Sequence, residues 1–287
     1  MAGELSTERS FADNSRPAGS IASETDRGVR NARWTAIVCA ASRGLGRAIA
    51  LALAREGVNL VINARSEAAL KSLADDIRRE MGVSVIAEAA NITTEEGRRA
   101  VLAAAPNPDI LINNAGGPPP GDFRNVERDA WISAVDANML TPIVLIRATI
   151  DGMIARRFGR IVNITTSGVK SPATYPQLGV SIAVRAGLTA LVGVLARQVA
   201  AENVTINNLL PGRFDTDRLR ENLEFAARRA GRSAQEEEEL ALGTIPARRF
   251  GHPDEFGASC AFLCSAHAGY MTGQNIVLDG GSFRGLV

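Results

Sequence analysis

From Trp34 onward, short runs of β-branched and other apolar residues alternate with longer amphipathic stretches. The runs predict strands over Thr35–Cys39, Asn59–Asn63, Ser84–Ala87, Ile110–Asn113, Arg160–Thr165, Thr205–Leu210 and Asn275–Leu278. Between them, apolar positions at helical spacing predict helices that include Leu45–Glu56, Glu67–Glu80, Arg128–Ala155 and Val184–Glu202. Strands alternating with helices of ten or more residues indicate βαβ units and a parallel sheet. Unbroken runs such as Ala36-Ile37-Val38 suit strands covered on both faces. The expected fold is α/β: a doubly wound parallel sheet of about seven strands flanked by helices, in one domain.

Two segments break this rhythm. Residues 1–25 are rich in Ser, Ala, Gly and charge without apolar periodicity, and are expected to be a disordered N-terminal extension ahead of a domain at 26–287. They lack the apolar core of a secretory signal. Residues 213–245 are rich in Arg and Glu, with Glu236 to Glu239 in a row. That run reads as a solvated helix face, and its place before the last strand also suits a lid over a substrate pocket.

Composition narrows the function classes. The 32 Lys and Arg against 31 Asp and Glu leave a formal charge of +1. That balance supplies no electrostatic reason for nucleic acid or an anionic membrane as a partner. Eighteen consecutive apolar residues occur nowhere, so no membrane span is expected. Cys39, Cys260 and Cys264 form no CxxC pair, and their odd number suits the reducing cytoplasm. Cys260 and Cys264 are expected on one helix face. His252 and His267 add no ligand spacing, so no metal is expected.

Candidate chemistry begins after the first strand, at Cys39-Ala40-Ala41-Ser42-Arg43-Gly44-Leu45-Gly46. Glycines before a helix let the backbone approach a pyrophosphate, and the helix N-terminus favours its charge. Further on come Asn113-Asn114-Ala115-Gly116, then Pro211-Gly212 with Thr216, then Asp279-Gly280-Gly281. In this order and spacing the chain resembles the short-chain dehydrogenase/reductase family, β-ketoacyl-reductase-like branch, over residues 26–284. The resemblance implies a Rossmann-like sheet and a nicotinamide cofactor.

The family turn is TGxxxGxG. Here Cys39 and Ala40 replace its Thr and first Gly, and Ala40 is expected to keep a negative φ. The cofactor contacts that the resemblance implies are Ala40, Ser42, Arg43, Gly44, Leu45 and Gly46 at the turn, and Asn91 and Ile92 at the adenine. Asn114, Ala115 and Gly116 form the floor, with Pro211, Gly212, Phe214 and Thr216 at the nicotinamide end. An Asp that would select NAD is missing near Ala64, and Arg65 and Arg43 are placed to meet a 2′-phosphate. NADP(H) is therefore the expected cofactor.

Family members protonate the substrate with a Tyr-x-x-x-Lys pair, beside a polarising Ser and an Asn that holds a water relay. In this sequence Asn138 matches the Asn, and Thr166 matches the Ser with Ser167 adjacent. Ser181 and Arg185 occupy the Tyr and Lys positions. Arg185 retains a cation for the ribose hydroxyls, whereas a Ser hydroxyl is a much weaker acid than a phenol. Tyr175 and Lys170, in the same strand-to-helix loop, are the compensating candidates: Tyr175 as acid, Lys170 toward a substrate anion or in the relay.

The expected activity is NADP(H)-dependent interconversion of a ketone and a secondary alcohol, with a small carbonyl or alcohol compound as substrate. A non-redox enzyme or a nicotinamide-binding sensor on the same scaffold is the alternative. Family resemblance also implies a homodimer or homotetramer pairing helices near 128–155 and 181–202. Ile132, Met139, Leu188, Leu191 and Val194 serve core or interface equally well.

Overall fold

The computed structural model describes residues 34–285; the extension expected over residues 1–25 lies outside them. Strands β1 (Thr35–Val38), β2 (Asn59–Ala64), β3 (Val85–Ala89), β4 (Ile110–Asn113), β5 (Gly159–Ile164), β6 (Val204–Pro211) and β7 (Asn275–Leu278) form one sheet. Its order is β3-β2-β1-β4-β5-β6-β7, and every pairing is parallel. Order reverses between β1 and β4. Such a sheet opens a crevice there, beyond the carboxyl ends of the strands.

Alternate residues of each strand feed two cores. Ala36, Val38, Leu60, Ile62, Ile110 and Ile112 pack with α1 (Gly44–Arg55), α2 (Glu67–Met81) and α9 (Pro253–Cys264). Ile37, Val61, Leu111, Ile161 and Ile206 point the other way, toward α3 (Glu95–Ala104), α5 (Thr141–Ala155) and α6 (Gly179–Val199). Side chains of a strand alternate between faces, so a run apolar at every position is what a sheet covered on both sides requires. Cys260 and Cys264 share the buried face of α9.

Two helices depart from expectation. Arg128–Ala155 is not one regular helix: α4 (Arg128–Val135) meets α5 through a π-helical turn at Asp136–Leu140. α6 starts five residues before the expected Val184, following a 3₁₀ turn at Pro176–Leu178. Ser181 thus lies in its first turn, one turn ahead of Arg185. By length and mean hydropathy Arg128–Ala155 and Pro176–Glu202 are apolar enough to cross a membrane, although neither is an unbroken run of eighteen apolar residues. Here they flank the sheet, with 33% and 39% of their most apolar stretches buried.

The Arg/Glu-rich segment resolves into α7 (Asp217–Ala230) and α8 (Ala234–Gly243). Its glutamates do local work. Glu236 closes a capping box with Ser233 at the start of α8, and Glu237 pairs with Arg232 at 2.8 Å.

The sheet also carries a polar seam. Asn113, Asn163, Asn208 and Asn275 stand in register on four adjacent strands. Each amide donates to the next oxygen, at 2.9, 3.3 and 2.8 Å. The seam runs from the strand end next to Asn114 out to the β7 edge.

Candidate active site

The β1–α1 turn is closed by backbone contact. A Cβ on Gly46 would lie 2.1 Å from the Ala40 carbonyl oxygen and 2.9 Å from Asn114 Nδ2, so no side chain fits. Ala40 itself sits at φ +51°, correcting the expected negative φ. In this left-handed conformation the Ala40 carbonyl faces Gly46. Such a conformation costs a non-glycine residue about 1–2 kcal/mol. Arg43 at the N-cap of α1 makes no side-chain cap, leaving the first helical N–H groups open to an anion. Cys39 is buried, and burial pushes its thiol up to about 12, which keeps it unreactive.

Two cavities meet above this turn. The larger, about 1510 Å³, is lined by Ala40, Ser42, Arg43, Arg65, Asn91, Ile92, Asn114, Ala115, Gly116 and Asn138. The second, about 550 Å³, shares Ala40, Arg43, Arg65 and Asn114–Gly117 with it. It continues past Gly44, Leu45, Thr166, Tyr175, Ser181, Arg185, Pro211, Gly212, Phe214 and Thr216. Of the expected site residues Gly46, Ser167 and Lys170 line neither: Gly46 is sealed in the turn, and Ser167 is buried behind Tyr175. The Phe214 ring packs edge-on against Phe256, at 5.0 Å between centroids. The residue is thus part of the core as well as of the cavity wall.

Arg43 and Arg65 stand at the shared wall. Arg43 lies 3.8 Å from Asp217 and 3.7 Å from Glu221, distant exposed pairings that cost little to exchange for a phosphate. Asn91 Oδ1 accepts from the Thr93 N–H and hydroxyl at 3.2 and 3.0 Å, so its acceptor oxygen is engaged in its own turn. Asn63, which no motif singles out, lines the larger cavity and donates to Glu88 O and Ala90 O at 2.8 and 3.0 Å. It braces the strand end that carries Arg65. The space, the open helix N-terminus and the two guanidiniums fit a phosphorylated dinucleotide.

At the other end, Arg185 donates to Ser181 Oγ, and through Nη2 to Ala115 O at 3.2 Å. Both residues are buried. Burial, followed by the nearby charge of Arg218, pulls Arg185 down to about 10, still protonated at neutral pH. A Cβ on Gly117 would come within 3.3 Å of Ser181 Oγ and 3.4 Å of the Arg185 guanidinium, so glycine there leaves room for the pair. Asn138 sits in the π turn. Its Nδ2 donates to Ala134 O at 3.2 Å, and its buried Oδ1 has no partner among the described residues. An open acceptor of this kind is where an ordered water belongs.

Thr166 Oγ1 accepts from the Gly168 N–H at 3.2 Å, and Ser167 Oγ lies 3.2 Å from Tyr175 Oη. Thr216 caps α7 through Leu219 N–H at 3.3 Å. Lys170 does not fill its expected role: its ammonium rests 5.4 Å from the Phe283 ring centroid, and it lines neither cavity. Arg213 and Arg218 line the second cavity instead. Arg218 donates to Pro118 O at 2.7 Å, tying α7 to the loop after β4. Position in the sequence carried no signal for either, since both fall in a segment where arginine is common.

Comparison with known proteins agrees with this geometry. Residues 39–282 match the family described as enoyl-(acyl carrier protein) reductase. The NADPH-dependent reductase BacG of Bacillus subtilis is 33% identical over 257 residues, covering 88% of this chain and 98% of that protein. The 3-oxoacyl-[acyl-carrier-protein] reductase FabG of Vibrio cholerae is 32% identical, covering 86% and 96%. Among solved structures, L-sorbose reductase of Gluconobacter frateurii, complexed with NADPH and L-sorbose, superposes with a TM-score of 0.83 at 27% identity, covering 91% and 100%. With its sheet order, its glycine turn and these relatives, the chain belongs to the short-chain dehydrogenase/reductase family.

Proposed function

We propose that the protein is an NADP(H)-dependent oxidoreductase that interconverts a ketone and a secondary alcohol, with Ser181 and Arg185 forming its proton relay. One observation carries the reading. The buried Arg185 guanidinium joins Ser181 Oγ to Ala115 O, in a cavity that shares a wall with the dinucleotide cradle.

The Gly44–Gly46 turn and the α1 N-terminus hold the pyrophosphate, and Arg43 and Arg65 the 2′-phosphate. Asn91 and Ile92 would border the adenine, Asn114–Gly116 the floor, and Pro211, Gly212, Phe214 and Thr216 the nicotinamide end. When bound, the dinucleotide supplies or accepts the hydride. Thr166, with Ser167 behind it, polarises the substrate oxygen. Ser181 Oγ accepts from Arg185, so its own hydrogen is free for that oxygen, and the Arg185 charge stabilises the alkoxide left on Ser181. A water on Asn138 Oδ1, itself reprotonated from bulk solvent, would return the proton to Ser181.

A second reading has one specific support. The Tyr175 phenol, a stronger acid than a serine hydroxyl, meets Ser167 at 3.2 Å inside the loop that walls the cavity. In that case Tyr175 is the donor, and Ser181 only positions Arg185.

α7 and α8 act as the lid, because they wall the cavity and are tied to the opposite loop through Arg218 and Pro118. The apolar faces left uncovered by the fold, with Ile132, Leu140 and Val194 at 47%, 46% and 56% exposure, support a homodimer or homotetramer. Three free, buried cysteines support a cytoplasmic setting.

The test is calorimetric titration with NADPH and NADH, then nicotinamide absorbance on a panel of ketones and alcohols. NADPH should bind about 10-fold or more tighter, and Arg43→Ala with Arg65→Ala should abolish the preference. Ser181→Ala should lower kcat about 100-fold with NADPH affinity nearly unchanged. Conversion without an absorbance change would favour the non-redox alternative. Tight binding with no turnover on any compound would favour the sensor, and no dinucleotide binding would remove the reading.

A further inference from the structure

Arg213 reaches the second cavity with no acidic partner among the described residues. Nη1 donates to Thr244 Oγ1 at 2.7 Å and to Ala241 O at 3.4 Å, which anchors the group to α8. The guanidinium carbon lies 5.4 Å from the Tyr175 ring centroid. Nη2 and Nε make no hydrogen bond to the described protein. A pinned, half-buried guanidinium with a vacant edge is a ready fork for an anion.

Nearby carboxylates do not answer this charge. Glu237 is bound by Arg232 at 2.8 Å. Glu221 lies 3.4 Å from Arg218 and 3.7 Å from Arg43, which also faces Asp217 at 3.8 Å. Six arginines, Arg43, Arg65, Arg185, Arg213, Arg218 and Arg232, therefore line one cavity with three carboxylates, Asp217, Glu221 and Glu237, each of which already pairs with an arginine other than Arg213. Like charges gathered at a half-closed wall repel, and a bound anion relieves that repulsion.

We propose that the substrate carries an anionic group besides its reacting carbonyl or alcohol, and that this group is seated on Arg213. The contact between Arg213 and the Tyr175 ring would hold it at the wall of the second cavity. This inference rests on the reading of the second cavity as the substrate site. A carboxylate and a phosphate ester share the recognising chemistry, so the substrate is an oxo or hydroxy acid, or a ketone phosphate.

The test uses the full chain saturated with NADPH, and reads binding by calorimetry so that it needs no turnover. The probes are a series of 2-, 3- and 4-oxo carboxylic acids with their methyl esters, and dihydroxyacetone phosphate with dihydroxyacetone. At least one anionic compound should bind about 10-fold or more tighter than its neutral partner. Arg213→Gln should bring the ratio to within about twofold, with Arg213→Lys retaining part of it, and both variants should bind NADPH as the parent does. Which pair shows the preference identifies the anion. Equal binding within every pair, no binding of any probe, or an undiminished preference in Arg213→Gln overturns the inference. Failure of the parent chain to bind NADPH would instead remove the reading beneath it.

Discussion

Tyr175 Oη lies 3.2 Å from Ser167 Oγ, although they stand eight positions apart, with the 3₁₀ turns Ser167–Val169 and Pro172–Thr174 spanning the stretch between them. The loop folds back and delivers a phenol to a serine at the rim of the site. Tyr175→Phe keeps the ring and its stack on Arg213, and removes only the hydroxyl. With Ser181 as donor, kcat should fall less than about 10-fold; a loss of about 100-fold in single-turnover rate would transfer the proton to Tyr175.

Ala40 holds a left-handed turn that glycine adopts without penalty. Ala40→Gly should stabilise the protein by about 1 kcal/mol, the steric relief outweighing the added freedom of the unfolded chain. Urea denaturation measures this, and an unchanged or lower midpoint at constant slope would show that Ala40 is unstrained. NADPH affinity should not fall.

The asparagine seam predicts a large loss from a substitution of similar size. Asn163→Leu removes the acceptor of Asn113 and the donor to Asn208, leaving two polar groups buried and unpaired. At about 1–3 kcal/mol for each, the destabilisation should reach roughly 2–6 kcal/mol. A loss below about 1 kcal/mol would mean that the seam contributes nothing beyond packing.

Glu255 bonds Arg249 through both oxygens at 2.7 Å and accepts the His252 N–H at the start of α9. The Arg249 hydrogen bonds, ahead of the backbone bond, hold its carboxyl at about 2, below the ordinary 4.5. A folded value below the unfolded one means stability fully present above pH 4.5 and lost as pH falls toward 2. Glu255→Gln should therefore flatten part of the Tm decline between pH 4.5 and 2, while lowering Tm near neutrality. Parallel Tm curves for the two proteins would exclude this contribution.

Much of the fold was legible because its cause is local. A strand covered on both faces must be apolar throughout, and Ala36-Ile37-Val38 or Ile110-Leu111-Ile112 have no other economical use. The site was legible wherever a motif names backbone geometry, as at Gly44 and Gly46, or at Asn114–Gly116. Ala40 misled because its handedness is imposed by Gly46 beneath its carbonyl, not by its own preference. The regular pattern of Arg128–Ala155 gave no sign of the π turn, since a one-residue bulge barely disturbs helical spacing over two dozen positions.

By itself the sequence determined the seven-strand alternation, the place of the dinucleotide turn, and the presence of Ser181 and Arg185 one helical turn apart. These follow from periodicity and from backbone rules that act over a few residues. Only the tertiary structure decided that Tyr175 meets Ser167, that Lys170 turns away to Phe283, and that Arg213 faces the cavity without a counter-charge among the described residues. Each depends on where a loop side chain comes to rest among residues distant in the chain. Packing and charge across the finished fold set that outcome, and no local preference encodes it.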